Sequence, residues 1–250
     1  MDATYADARA GDIVMVPDAQ AFKRMPEEYQ QLVIRMILVH IEGELTGADD
    51  YAGVFYPMAP NAYEKMICCQ RAAEEVDHYM RGAALLEEIG VDPSFMLSQR
   101  VNDRSYFPSE MFRNVRTWME RAFASLLGET AVLELMEELL ECSYKPLAEI
   151  FPEIIKDEKI HVAHGYRIVR DACKTPDGLA EAQETLNRYW PMVLDLFGRS
   201  ESNRSKQFRA WGLRKTSNDE LRQAFIAGMR PRLEKLGLTT PPDHLNRKFV

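Results

Sequence analysis

The sequence predicts an all-α protein, a four-helix bundle followed by additional C-terminal helices. Three observations carry that reading. Apolar residues recur at three- and four-residue spacing through several long segments, the mark of amphipathic helices. No stretch alternates with the period of two that a half-buried strand requires. Glu75 and His78, and again Glu158 and His161, stand three residues apart in the middle of two of these segments. Residues three apart share one helix face, so each pair aims a carboxylate and an imidazole at one point.

Residues 1–25 are expected to form an irregular arm, broken at Gly11 and Pro17. Pro26 opens the first helix, with Glu27 and Glu28 in the favoured first turn. It runs to about Thr46 along a seam of Val33, Ile34, Ile37, Leu38, Ile41 and Leu45. Glu42 and Glu44 flank that seam equally, and periodicity does not choose between them. Residues 47–60 contain Gly47, Gly53, Pro57 and Pro60 and read as a connection. A second helix spans Asn61 to Ile89 and stops at Gly90 and Pro93. Its stripe is Ile67, Arg71, Glu75, His78, Gly82 and Leu85.

Residues 91–108 form a longer crossover, and a third helix begins at Ser109 or Val115 and ends at Cys142. Its stripe runs through Ala122, Ser125, Leu126, Glu129, Val132, Leu133, Met136 and Leu140, with Glu129 the acid nearest the centre. Two prolines in Tyr144–Pro152 should break or kink the path. The fourth helix then continues to about Cys173, with Glu158, His161, Gly165 and Ile168 on one side. Asp177-Gly178 marks a turn, Leu179–Phe197 a fifth helix, and the Ser- and Arg-rich stretch after it a loop. Asn218 caps a last helix to Leu236, interrupted at Pro231, and Gly237–Val250 is a tail. The chain is thus expected to be one domain, with the bundle in 26–175 and the C-terminal helices and tail in 176–250.

An ionised carboxylate in an apolar seam costs on the order of several kcal/mol unless a cation meets it. Two Glu-x-x-His pairs and one Glu from each of two further helices make the ligand set of a di-metal site in a ferritin-like bundle. Carboxylates are hard and able to bridge, and imidazole holds either state of iron. Two iron ions and dioxygen chemistry are therefore expected. A lone Glu-x-x-His is usually surface chemistry; two at mid-helix, each on its apolar stripe, are not. Glu74 and Asp77 are read as orienting a ligating imidazole or as solvated, Arg71 as a counter-charge or a bridge at the bundle end, and His164 as a packed or surface histidine, or else one standing just outside the ligands. His40 has no carboxylate at the matching spacing and reads as structural.

The formal charge of −8 speaks against nucleic acid and against an anionic membrane as the main partner. The four cysteines show no Cys-x-x-Cys spacing and read as reduced thiols. The first residues carry no leader pattern and no apolar run approaches the ~18 residues of a span. A cytoplasmic location is expected.

Beyond the helix faces, MPEEYQQLVIRMI, HIEGELTG, EEVDH and KDEKIH resemble the helix openings and metal-binding segments of the ring-1,2-phenylacetyl-CoA epoxidase catalytic-subunit family. NRYWPMVLDLFG, TSNDELRQAFI and LEKLGLTTPP resemble its C-terminal stretches, and coverage extends over roughly residues 24–243. The resemblance puts Glu44 in the first-helix ligand position and Glu42 beside it as a non-ligand. It completes an implied metal set of Glu44, Glu75, His78, Glu129, Glu158 and His161, with Glu129 where the family has an Asp. It further implies insertion of one oxygen atom from O2 into an aromatic acyl-CoA, with electrons from a separate reductase. The chain would work as a homo-oligomer or beside a paralogous subunit lacking the ligands. The basic stretch Arg199, Arg204, Lys206, Arg209, Arg214 and Lys215 is expected to meet CoA phosphates, Arg209, Arg214 and Lys215 above all, with a solvated loop or a subunit contact as equal readings. A non-CoA substrate and a non-enzymatic iron-binding protein are the rival expectations.

Overall fold

A computed structural model describes residues 5–107 and 110–249 of the chain. Four long helices form the bundle. The first, α1 (Glu27–Asp49), carries Glu27 and Glu28 at its positive end. The second, α2 (Ala62–Glu88), starts where the Asn61 side chain accepts the Glu64 amide at 3.0 Å. It ends at Gly90, whose φ of +89° lets Val91 N–H reach back to the Leu86 carbonyl. The third, α3, is built of Trp118–Phe123, a π-helical turn Ala124–Glu129, and Thr130–Leu139. A Thr117–Glu120 capping box opens it. The fourth, α4, is Lys145–Ala172. Three more follow: α5 (Pro176–Leu196), α6 (Asn203–Ala210) and α7 (Asn218–Glu234). Among the described residues there is no strand, only a single bridge between Val16 and Tyr144.

The core falls into two apolar clusters. Along α1 the first cluster ends at Leu45 and the second begins at Tyr51; along α2 the second holds Cys68 and the first resumes at Tyr79. On α3 the changeover lies between Ala131 and Leu133, and on α4 between Val162 and Val169. The order of the clusters reverses from α1 to α2 and from α3 to α4, but not from α2 to α3. The two hairpins are therefore antiparallel, and the parallel step between them needs the long crossover. Glu44, Glu75, His78, Glu129, Glu158 and His161 all lie at or within about a turn of the changeover on their own helix. A polar waist separates the two clusters there.

Two glycines bring each hairpin close. A Cβ on Gly82 would stand 2.3 Å from Ile41 Cγ2, and one on Gly165 would stand 2.7 Å from the Ala122 carbonyl oxygen. Each lies four residues after its histidine, so both pairs belong to a doubled Glu-x-x-His-x-x-x-Gly.

Several boundaries differ from the sequence expectation. Residues 47–58 are not a connection: α1 passes directly into a π-helical turn, Asp50–Phe55, and a last turn Tyr56–Met58. Gly47 is no breaker, since its missing Cβ clears the Glu75 carboxylate, which would otherwise lie 3.0 Å away. The prolines of α4 do not interrupt it: Pro146 falls in the first turn, where no helical N–H is needed, and Pro152 lies inside the helix between buried Phe151 and Ile154. Asp177 and Gly178 form the first turn of α5, capped by Thr175, so the corner comes earlier. The expected polar loop contains α6, capped by Ser202. Ser217, not Asn218, caps α7, and Pro231 does not break it. The N-terminal arm includes a turn of helix, Ala19–Phe22, and buries Val16, Phe22 and Met25 in the core. The alternative start of the third helix at Ser109 lies outside the described residues.

Candidate metal centre

Four helices each present carboxylate to the waist, and α2 and α4 add an imidazole apiece. Two overlapping groups have ligand atoms within 4.8 Å of one another: Glu44, Glu75, His78 and Glu158, and Glu75, Glu129 and His161. Glu75 belongs to both. Glu158 also faces both halves, its Oε1 lying 3.5 Å from His78 Nδ1 and 3.6 Å from His161 Nδ1. All six side chains are buried.

The outer nitrogens of the imidazoles are held crosswise. His78 Nε2, on α2, is 3.3 Å from Asp157 Oδ2 on α4; His161 Nε2, on α4, is 2.8 Å from Glu74 Oε2 on α2. Each acid immediately precedes the Glu of the opposite pair, so the doubled motif is acid-Glu-x-x-His. Such partners fix the tautomer and turn Nδ1 inward. Arg71 in turn donates to Glu74.

Glu129 is fixed by different groups. Its Oε1 accepts from Tyr51 Oη at 3.0 Å and from Ser125 Oγ at 3.0 Å, while its Oε2 is buried with no partner. Ser125 and Glu129 share the π-helical turn of α3, an irregularity often found at functional sites. Behind Tyr51, Arg121 Nη2 donates to Tyr51 Oη at 3.2 Å and lies 3.2 Å from His164 Nδ1; His164 Nε2 is 2.7 Å from Glu64. Burial and then the Arg121 charge push His164 down to about 3, so it is neutral.

The electrostatics describe a site asking for cations. Burial, and then Glu158, raise Glu75 far above the carboxylate range. Burial also raises Glu129, with His161 opposing. Burial would raise Glu44 as well, yet His40 and then His78 hold it well below the usual value. On His78, burial disfavours charge, but Glu158 and Glu44 outweigh it and push the imidazole up to about 11. Four buried carboxylates, the orphaned Glu129 Oε2 and the orphaned His161 Nδ1 fit a pair of divalent cations.

The structure brings together all six residues expected as ligands. It distributes the outer ones differently. Asp77 is half-exposed and paired with Arg81 at 2.6 Å, the solvated placement of its two expected ones; the contact to an imidazole is made by Asp157. Arg71 is buried, but it meets Glu74, not Glu75. His164 makes no hydrogen bond to any of the six, and Arg121 and Tyr51 link it to Glu129. Glu42 points to the crossover, where its Oε1 accepts the Phe107 amide at 2.6 Å. His40, read as structural because no Glu stands three residues before it, lies 3.0 Å from Glu44 Oε1 one turn on. Asp157 was legible in the repeat of acid before Glu-x-x-His; Tyr51 and Arg121 carried no comparable pattern.

A cavity of about 1240 Å³ opens from this site. Glu44, Glu75, Glu129 and Glu158 form part of its wall, together with Met36, Phe107, Phe112 and Met136 and with Arg199 and Arg204. Arg214 lines it too, but its guanidinium is bonded to Asn218 and faces Glu138, while Lys215 is paired with Glu141. Arg209 is not part of the cavity wall. No helix among the described residues is long and apolar enough to cross a membrane.

Among known proteins, the chain is 27% identical over 229 residues to one of the subunits of the 1,2-phenylacetyl-CoA epoxidase of Escherichia coli (strain K12), covering 89% of this chain and 72% of that one. Among solved structures, an R2-like ligand-binding oxidase with aerobically reconstituted Mn/Fe cofactor matches with a TM-score of 0.64 and 15% identity, over 94% of this chain and 89% of that one. A second form of an R2-like ligand-binding oxidase, after photoconversion, matches at 0.63 and 13% identity, over 95% and 90%. At such identities the likeness is one of fold, and it makes the bundle ferritin-like, as the doubled ligand motif predicts. The family model for phenylacetic acid catabolic proteins matches residues 6–248, and with nearly the whole chain matched, this protein belongs to that family.

Proposed function

We propose that this chain is the metal-bearing subunit of a di-iron oxygenase that inserts one atom of O2 into an aromatic acyl-CoA, with electrons from a separate reductase. One observation carries the reading: four buried carboxylates on the wall of a large, mostly apolar cavity gather with two buried imidazoles. Glu44, Glu75, His78 and Glu158 would hold one iron, and Glu75, Glu129 and His161 the other, Glu75 belonging to both sets. Bound there, the iron pair would supply the activation of O2.

The chain's own residues set the conditions for it. Asp157 and Glu74 keep the inner nitrogens of His78 and His161 free for metal. Tyr51 and Ser125 occupy one oxygen of Glu129 and leave the other. Phe107, Phe112, Met36 and Met136 give the cavity an apolar lining that excludes water and suits an aromatic ring. The phosphates of a CoA would lie toward Arg199 and Arg204, the opening residues of the expected basic stretch, which line the cavity, and not toward Arg209, Arg214 or Lys215. The family description and the E. coli relative's name support this substrate class. A cytoplasmic complex with a second copy or a ligand-lacking paralogue completes the proposal.

That Arg214 and Lys215 are already matched by acids favours a second reading, an oxygenase acting on a substrate without CoA. One experiment separates them. Protein reconstituted anaerobically should bind two Fe(II) per chain, and phenylacetyl-CoA should bind it more weakly after Arg199→Ser and Arg204→Ser. Zero iron with intact helicity would sink the oxygenase; two irons but no binding of phenylacetyl-CoA or free CoA in the millimolar range would leave the non-CoA reading.

A further inference from the structure

Asp50 is an acid of the cavity wall that neither the metal set nor the substrate contacts employ. It is 5% exposed, and its Oδ2 is buried without a hydrogen-bond partner. The other acids of the wall outside the ligand set are engaged: Asp195 with Arg247, and Glu201 with Lys206. An unpartnered buried carboxyl costs on the order of 1–3 kcal/mol, a cost that folding alone gives no reason to keep.

Its position is specific. Along α1 the wall runs through Gly43, Gly47 and Asp50. Gly47 is the point at which the helix touches the Glu75 carboxylate. Three residues further, a rise of about 4.5 Å, Asp50 opens the π-helical turn. It thus stands one helical turn from the glycine that meets the Glu75 carboxylate, on the same cavity. The groups around it are Asp49, Arg104, Arg113 and Tyr189. Asp49 is half-exposed and bound to Arg104 at 2.5 Å, and Arg113 donates to the Arg104 carbonyl. Neither arginine bonds to Asp50. Burial, and then Asp49, push its carboxyl up to about 7 against the pull of Arg104 and Arg113.

We propose that Asp50 is the proton donor to dioxygen as it is reduced at the neighbouring metal site. The inference rests on the oxygenase reading. Insertion of one oxygen atom consumes O2, two electrons from the reductase and two protons; the second oxygen leaves as water. Asp50 O–H supplies one of those protons across the cavity through a water molecule, and the carboxylate left behind regains it from solvent on the side of half-exposed Asp49. A general acid poised near the working pH is the effective kind.

Two measurements test this. In metal-free protein, infrared titration should show a protonated carboxyl C=O band that disappears with a midpoint near 7 and is missing in Asp50→Asn. In Fe(II)-loaded protein reduced with dithionite and mixed with O2, wild-type oxygen consumption should slow as pH rises through that midpoint. Asp50→Asn should be slower by about 10²-fold and flat with pH, Asp50→Glu should recover rate and profile, and iron content and helicity should stay at wild-type values. A wild-type profile flat across this range, or Asp50→Asn retaining rate and profile, overturns the assignment. Loss of iron in Asp50→Asn with no rescue by Asp50→Glu would also overturn it, making the residue structural. Wild-type iron protein that consumes no O2 brings down the oxygenase reading itself, and the proton donor with it.

Discussion

Gly165→Ala sets two effects of known size against each other. In a helix interior, alanine is favoured over glycine by about 1 kcal/mol, and Gly165 is well inside α4. The new Cβ, however, would stand 2.7 Å from the Ala122 carbonyl oxygen, 2.8 Å from the Leu126 nitrogen and 2.8 Å from Ser125 Cβ. Two of these are backbone atoms, so no side-chain rotation relieves the clash. The helices must part by roughly half an ångström or more, and overpacking of this kind costs about 1–3 kcal/mol. The steric cost should win, leaving a net loss of up to about 2 kcal/mol. For a chain of this size that lowers Tm by up to about 8 °C. The displaced segment carries Ser125 and Glu129, and Gly165 lies one turn beyond His161, so metal affinity should fall as well. Gly228→Ala is the control, since it lies inside α7 with nothing within 4 Å of the added Cβ. Its Tm should rise by a few degrees. Thermal melts followed by circular dichroism, with and without metal, decide the matter. If Gly165→Ala raises Tm as Gly228→Ala does and leaves metal affinity unchanged, the close approach of α3 and α4 is not what holds the site.

Three further outcomes are expected. Glu44→Ala should abolish oxygen reactivity and lower iron content, whereas Glu42→Gln should keep both and instead loosen the crossover at Phe107, visible as faster amide exchange there. Glu74→Ala and Asp157→Ala should each weaken metal binding by about 10- to 100-fold with little change in Tm, because both acids are more than a quarter exposed; unchanged affinity in a metal titration would show that the crosswise contacts do not matter. Since His78 is held up to about 11 by Glu158 and Glu44, divalent metal must displace protons near neutral pH; apparent affinity should climb as pH rises from 6 to 8, and calorimetry in buffers of different ionisation enthalpy should detect proton release.

The sequence by itself determined the helices of the bundle and its ligand motif, because both are local. Helical periodicity fixes which residues of one segment share a face, and a Glu three positions before a His meets it on any helix. The doubled pair and Glu129 on its stripe therefore announced a site before any packing was known. The tertiary structure decided everything that depends on what lies opposite. Gly47 looks like a breaker until Glu75 is seen against it. Asp77 and Asp157 each adjoin a metal-motif Glu or His in sequence, yet only Asp157 faces an imidazole, because the partner is supplied by the other hairpin. Arg214 and Lys215 read as free cations until α3 and the residues just after it bring Glu138 and Glu141 to them. Asp50 read as part of a connection, and it is the continuation of α1 and the path of the cavity that put its carboxyl on the wall. A side chain's charge and spacing are written along the chain, but its partner is set by which helix crosses it, and that is decided only when the whole bundle closes.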